Sequence, residues 1–143
     1  MALTVLDAGV VIAVLSARDA HHAAARGEVS SALREGHELV LPASAYAETL
    51  VEPHERGPGA VRQVDAFLAA LPARVEAIDA KVAKAAARLR ARHSRLKLPD
   101  AMVIATAELL KADRVLTTDR GWPGGLGVVV HIVGQGTQGR RRR

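Results

Sequence analysis

The chain has 143 residues, 49% of them hydrophobic, with Lys+Arg 20 against Asp+Glu 15 and a formal net charge of +5. That length suits one core, and the apolar content excludes a wholly disordered chain. The absence of cysteine excludes disulfides, thiolate metal sites and thiol nucleophiles, and with only Tyr46, Phe67 and Trp122 as aromatics a sheet that stacks several bases is excluded too. No apolar run approaches the roughly 20 residues of a membrane span, and no basic segment precedes the first apolar stretch. A cytoplasmic protein without a signal peptide is therefore expected.

Taken in order, residues 3–7 read as a short buried strand closed by Asp7 and Gly9, and 10–16 as a helix. Residues 20–34 are alanine-rich and helical, stopped by Gly36. Residues 38–41 form a second strand closed by Pro42, and Ser44 is placed to cap a helix through Glu48 to about Val51. Pro53 and Gly57-Pro58-Gly59 break the chain. Val61, Val64, Phe67, Leu68 and Leu71 keep helical spacing up to Pro72. Residues 74–78 make a third strand and 80–93 a helix. Pro99 opens a further helix to Ala112, apolar nearly all round and so expected to be buried. Residues 114–118 form a fourth strand ending at Asp119, and a glycine-rich loop at 121–127 leads to a fifth at 128–133. Residues 134–143 hold no apolar side chain and are expected as a disordered Gly/Arg-rich basic tail beyond a body of residues 1–133.

Short apolar strands alternating with helices imply an α/β sandwich around a mostly parallel central sheet of four to five strands. Sites in such sheets form in the crevice beyond the carboxyl ends of the strands. Asp7 and Asp119 both stand at that end, and adjacent strands would bring them together.

Four acids stand out by context: Asp7 after the first strand, Glu48 within an apolar helix, Asp100 directly after Pro99, and Asp119 after the fourth strand. Singly, each has an ordinary use as a cap, a turn former or a solvated side chain. Together, at one edge of one sheet, they would repel unless a divalent cation offset them, and hard cations such as Mg²⁺ or Mn²⁺ take oxygen ligands. The helix N-terminus also favours Asp100 in its ionised form.

The charge is unevenly spread. Residues 80–99 carry seven basic residues and no acid, Arg140–Arg143 carry four more, and the remaining nine basic residues face all 15 acids. Lys81, Lys84, Arg88, Arg92 and Arg95 fall at spacings of 3, 4, 4 and 3, one basic face on a helix that leads to Asp100. Such a face beside an acidic pocket suits a polyanion, and the tail arginines suit non-specific phosphate attraction.

The segments Leu6-Asp7-Ala8-Gly9-Val10, the isolated Glu48, Leu98-Pro99-Asp100-Ala101-Met102 and Leu116-Thr117-Thr118-Asp119-Arg120 resemble the acidic motifs of PIN-domain ribonucleases. Size and motif order resemble the VapC toxins of bacterial toxin–antitoxin pairs. The resemblance runs from about Leu3 to Val133 and implies a PIN-like α/β/α sandwich. It implies Asp7, Glu48, Asp100 and Asp119 as metal-binding carboxylates, Thr117 as an orienting hydroxyl, and Mg²⁺ or Mn²⁺ as cofactor. The implied reaction is RNA phosphodiester hydrolysis by a metal-activated water, leaving a 5′-phosphate and a 3′-hydroxyl. The implied partners are a VapB-type antitoxin, an RNA such as tRNA or rRNA, and a second copy of the chain. The sequence departs from the family at Gly9, where Ser or Asn is usual.

Two other readings are open to these residues. An Asp-dependent phosphatase or phosphoryl-transfer domain would use Asp7 as nucleophile, but it needs a second acid where Gly9 stands. A non-catalytic basic nucleic-acid-binding module would use the 80–99 segment and leave the four acids without a role.

Overall fold

The computed structural model describes residues 1–134 and 136–137. Five short strands pair in parallel: β1 (Leu3–Leu6), β2 (Glu38–Pro42), β3 (Ala73–Glu76), β4 (Arg114–Thr117) and β5 (Val130–Ile132). A two-residue β6 (Gly136–Thr137) adds an antiparallel edge. Between them run α1 (Ala8–Leu15), α2 (His22–Arg34), α3 (Ala43–Arg56), α4 (Pro58–Ala70), α5 (Ala80–Arg92) and α6 (Leu98–Leu109). This is the expected α/β/α sandwich with a mostly parallel sheet.

The strand order is β3-β2-β1-β4-β5-β6. The chain leaves β1 for β2 on one side, and β4 then enters on the other, so the direction of winding reverses between β1 and β4. A parallel sheet opens a crevice at such a point, outside the carboxyl ends of the two strands. Register fixes what meets there: Leu6 pairs with Leu116, and the Asp7 N–H donates to the Leu116 carbonyl at 3.0 Å.

Helices cover both faces, so the central strands are continuous apolar runs rather than alternating ones. Val5, Leu6, Leu39, Val40, Leu41, Val115 and Leu116 are all fully buried. Helix α6 lies against β1, β2 and β4. It buries Ala101, Val103, Ile104, Ala105, Thr106 and Ala107, which explains its near-uniform hydrophobicity. Helix α5 runs alongside it with Val82 and Ala86 turned inward.

Several boundaries differ from expectation. Ser44 does not cap α3. The helix starts at Ala43 directly after the extended Pro42, and the Ser44 hydroxyl is buried without a hydrogen-bond partner among the described residues. The same helix continues past Val51 through Pro53 to Arg56. Pro53 sits in its last turns, where the missing N–H and the ring cost least in lost helix beyond it. The fifth strand is only three residues long, because the chain at 121–129 is spent on the loop. The expected tail lies mostly outside the described residues, Arg140–Arg143 included, but Gly136–Thr137 within it pair with β5. Among the described residues no helix is long and apolar enough to cross a membrane.

Candidate active site

Asp7 directly follows β1 and is the N-cap of α1. Its Oδ1 accepts from the Ala8 N–H at 2.8 Å and its Oδ2 from the Thr117 hydroxyl at 2.8 Å. Thr117, fully buried at the end of β4, also accepts from the Asp119 N–H at 3.1 Å. One hydroxyl therefore ties together the two strand ends at the crevice. Asp119 is anchored in turn, its Oδ1 accepting from the Gly121 N–H at 2.7 Å.

Asp100 enters from α6, in whose first turn it lies. Glu48 enters from the middle of α3. The four acids form a gradient: Asp7 is 6% exposed, Asp100 half-buried, and Glu48 and Asp119 exposed at the mouth. Each acid has a buried residue within two positions (Leu6, Thr49, Ala101 and Thr117), while Glu48 and Asp119 themselves reach solvent.

The charges act on one another. Burial pushes the Asp7 carboxyl up to about 6, with Glu48 and Asp119 adding repulsion, and the Thr117 and Ala8 hydrogen bonds oppose the rise. Burial likewise pushes Asp100 up to about 6, with Asp7 and Asp119 adding to it and Lys97 and Trp122 opposing. Glu48 is raised by burial and by Asp100, against Lys97. Repulsion of this kind marks a place where a cation is favoured. The donor set is all carboxylate oxygen, which fits a hard divalent ion. Among the described residues no three Asp, Glu or His side chains stand close enough together to hold a metal by themselves. The fit is therefore to an ion that keeps several of its waters, as Mg²⁺ does.

The lack of a side chain at Gly9 has a structural counterpart. A Cβ there would run into the Thr118 hydroxyl, which occupies the space above the first turn of α1. With Gly at position 9 the phosphatase arrangement lacks its second acid, and a side chain there would require the Thr118 hydroxyl to turn aside.

The structure divides the basic face of α5. The helix rises about 1.5 Å per residue, so Lys81 and Arg92 are roughly 16 Å apart. Lys81 lines a cavity with Leu109 and Leu110 at the far end of α6, with Lys84 one turn on. Arg92 and Arg95 instead border Gly121, beside the Asp119 loop. Arg88 lies between these ends. Arg95 lies beyond the end of α5, so the helix face itself stops at Arg92, and the part of the basic segment that borders the Asp119 loop is its C-terminal end.

Three neighbours of the acids are given no role by the sequence pattern. Lys97, the N-cap of α6, is visible in the sequence only as one of seven basic residues. Trp122 is buried, and its indole N–H lowers Asp100 from close by without completing a hydrogen bond to an acceptor among the described residues. Thr118 becomes meaningful only once Gly9 is seen beneath it.

A family model described as PIN domain matches residues 4–123. The chain belongs to the PIN-domain family. Comparison with curated protein sequences gives no match. Among solved structures, it is similar to a toxin–antitoxin complex from Klebsiella pneumoniae, with 22% identity, TM-score 0.67, and coverage of 88% of this chain and 95% of that one. VapC20 of Mycobacterium tuberculosis, a sarcin-ricin loop cleaving toxin, matches at 20% identity and TM-score 0.67, covering 82% of this chain and 91% of that one. FitAcB from Neisseria gonorrhoeae matches at 20% identity and TM-score 0.64, covering 83% and 89%. At these identities the PIN fold is what is shared; the carboxylate cluster rests on this chain's own residues.

Proposed function

We propose that this PIN-domain chain is a divalent-metal-dependent endoribonuclease, the VapC-type toxin of a type II toxin–antitoxin pair acting in the cytoplasm. The observation that supports it is the mutual repulsion of Asp7, Asp100, Asp119 and Glu48 around the β1–β4 crevice, with the Asp7 carboxylate and the Asp119 backbone N–H bridged by Thr117.

Asp7 and Asp100, the two inner carboxyls, would hold Mg²⁺ or Mn²⁺, with Glu48 and Asp119 completing the site through water. The bound ion would supply a water of lowered pKa for in-line attack and offset charge on the phosphate. The Thr117 hydroxyl fixes the Asp7 carboxylate by its hydrogen bond, and the Gly121 N–H does the same for Asp119. Lys97 balances part of the acidic charge where the phosphate would arrive. The products would be a 5′-phosphate and a 3′-hydroxyl, with tRNA or rRNA as the substrate class. The RNA reading draws support from the neighbour whose name gives the sarcin-ricin loop as its target.

The antitoxin reading draws support from neighbours solved as toxin–antitoxin complexes and from a groove of about 640 Å³ that starts at Glu48. Ile12, Leu15, Arg18, Glu52 and Arg56 line it, and Ile12 and Leu15 are exposed. An antitoxin segment lying there would shield apolar surface and reach the acids. A homodimer is proposed alongside it.

The test is sequencing of RNA 5′ ends after incubating total bacterial RNA with the purified chain, with Mg²⁺ or with EDTA. Discrete 5′-phosphate ends that need Mg²⁺ and vanish in Asp7→Asn and Asp100→Asn are expected. Cleavage that survives both substitutions, or chelation, overturns the reading.

A further inference from the structure

We infer that the cavity where the end of α5 meets the loop after Asp119 is a phosphate subsite for a single-stranded RNA backbone, holding the strand beside the carboxylates. What the strand does there rests on the nuclease reading above. The cavity has a volume of about 390 Å³ and is walled by Arg92, His93, Ser94 and Arg95 on one side and by Gly121 and Pro123 on the other. That is many times the roughly 30 Å³ share of one water, so a hydrated phosphodiester fits.

No acidic residue is part of this wall. Arg92 and Arg95 are exposed, and neither pairs with a carboxylate among the described residues. Arg56, Arg74 and Arg114, by contrast, each hold a glutamate. Two guanidiniums left without a counter-charge over a concave surface are a phosphate-binding arrangement, since the planar fork matches phosphate oxygens. The C-terminal end of α5 carries partial negative charge, so its backbone does not attract an anion and the side chains must hold it.

The opposite wall supplies the link to the acids. Gly121 belongs to this cavity and donates its N–H to Asp119 Oδ1 at 2.7 Å. A phosphate seated on the arginines lies one turn of loop from the Asp119 carboxylate. The acidic cluster repels a polyanion, and this subsite offsets the repulsion on one side. Lys81 and Lys84, at the far end of the same helix, are too distant to do so.

The test is fluorescence anisotropy of a labelled mixed-sequence single-stranded RNA in EDTA, with no cleavage in play. Arg92→Gln/Arg95→Gln is expected to weaken binding about tenfold near about 0.1 M salt and to flatten the salt slope by about 1.4, at about 0.7 for each phosphate no longer neutralised. Lys81→Gln/Lys84→Gln removes the same charge and is expected to change affinity by less than about threefold. Arg92→Lys/Arg95→Lys keeps both charges and is expected to keep the salt slope while losing less affinity than the Gln pair, since only the fork is removed; a misfolded loop would lose both. Equal loss from the Arg→Gln and Lys→Gln pairs, or none from Arg92→Gln/Arg95→Gln, overturns the inference. Binding and cleavage fail separately. Unchanged binding in the Arg→Gln pair with metal-dependent cleavage intact removes the subsite and leaves the nuclease. Weakened binding in a chain that never cleaves removes the nuclease and leaves the cavity as a phosphate site.

Discussion

The Thr117 hydroxyl donates to Asp7 Oδ2 at 2.8 Å, joining residues 110 positions apart across the crevice between β1 and β4. It has no solvent to replace it, since Thr117 is fully buried. Removing the hydroxyl leaves Asp7 short of a donor and the Asp119 N–H short of an acceptor. Thr117→Val is expected to cost about 1–3 kcal/mol in urea unfolding, the usual penalty for an unsatisfied buried partner, while Thr117→Ser stays close to the parent. The Asp7 carboxyl should also titrate higher in Thr117→Val, by carboxyl-carbon NMR. A valine variant as stable as the serine one would remove the bridge from the account.

The raised carboxyls make stability depend on pH in a definite direction. Asp7 is lifted from 3.8 to about 6, so the folded chain holds its proton more tightly than the unfolded one. Its contribution is fully present below pH 4 and is lost as pH rises through about 6. The lift is worth about 3 kcal/mol at 1.36 kcal/mol per unit. In EDTA, Asp7→Asn is expected to be more stable than the parent at pH 7.5 and level with it near pH 4. Guanidinium unfolding at the two pH values checks this, and a variant less stable at pH 7.5 contradicts it.

Trp122 is the only tryptophan and lies against Asp100. Paramagnetic Mn²⁺ bound among the carboxylates should quench its emission, Mg²⁺ should reverse the quenching, and Asp100→Asn should abolish it. Saturation at tenfold over Kd should add about 1.4 kcal/mol, a rise in Tm of a few degrees by scanning calorimetry. Affinity should fall as pH drops through about 6, where Asp7 and Asp100 take up protons. Quenching that is the same in Asp100→Asn would place the ion elsewhere.

Gly9 stands in the first turn of α1 with ordinary helical backbone, so only the Thr118 hydroxyl stands against a side chain there. Gly9→Ser is expected to lose about 1–3 kcal/mol to overpacking. Gly9→Ser/Thr118→Ala should recover most of it, and Gly9→Ala/Thr118→Ala should exceed Thr118→Ala, since glycine costs about 0.5–1 kcal/mol against alanine within a helix. Thermal melts of the four variants decide it; additive losses would mean that the two positions do not meet.

The adjacency of Asp7 and Asp119 is legible in advance because strand ends in a parallel sheet share one edge, and each acid directly follows an apolar run. The buried state of α6 is equally plain from its composition. Glu48 stands out as an acid in an apolar helix, yet its exposure does not, since it depends on how α3 stands against α1 and α6. The basic face of α5 is legible as a pattern. Which end of it reaches the acids is not, because helical spacing says nothing about the direction in which a helix approaches a site. Lys97, Thr118 and Trp122 gain their roles from the approach of loops, which leave no periodic trace. The same is true of α3 passing through Pro53 and of Ser44 left without a partner.

The fit of the Thr118 hydroxyl over Gly9 has a consequence for how this chain can change. Positions 9 and 118 are a single unit of variation with sign epistasis: a side chain gained at 9 is harmful or harmless according to what stands at 118. A scan of single substitutions would score position 9 as closed. A lineage that first shortened position 118 would find it open to a small side chain, and a hydroxyl could then pass from the strand-end loop to the opposing helix.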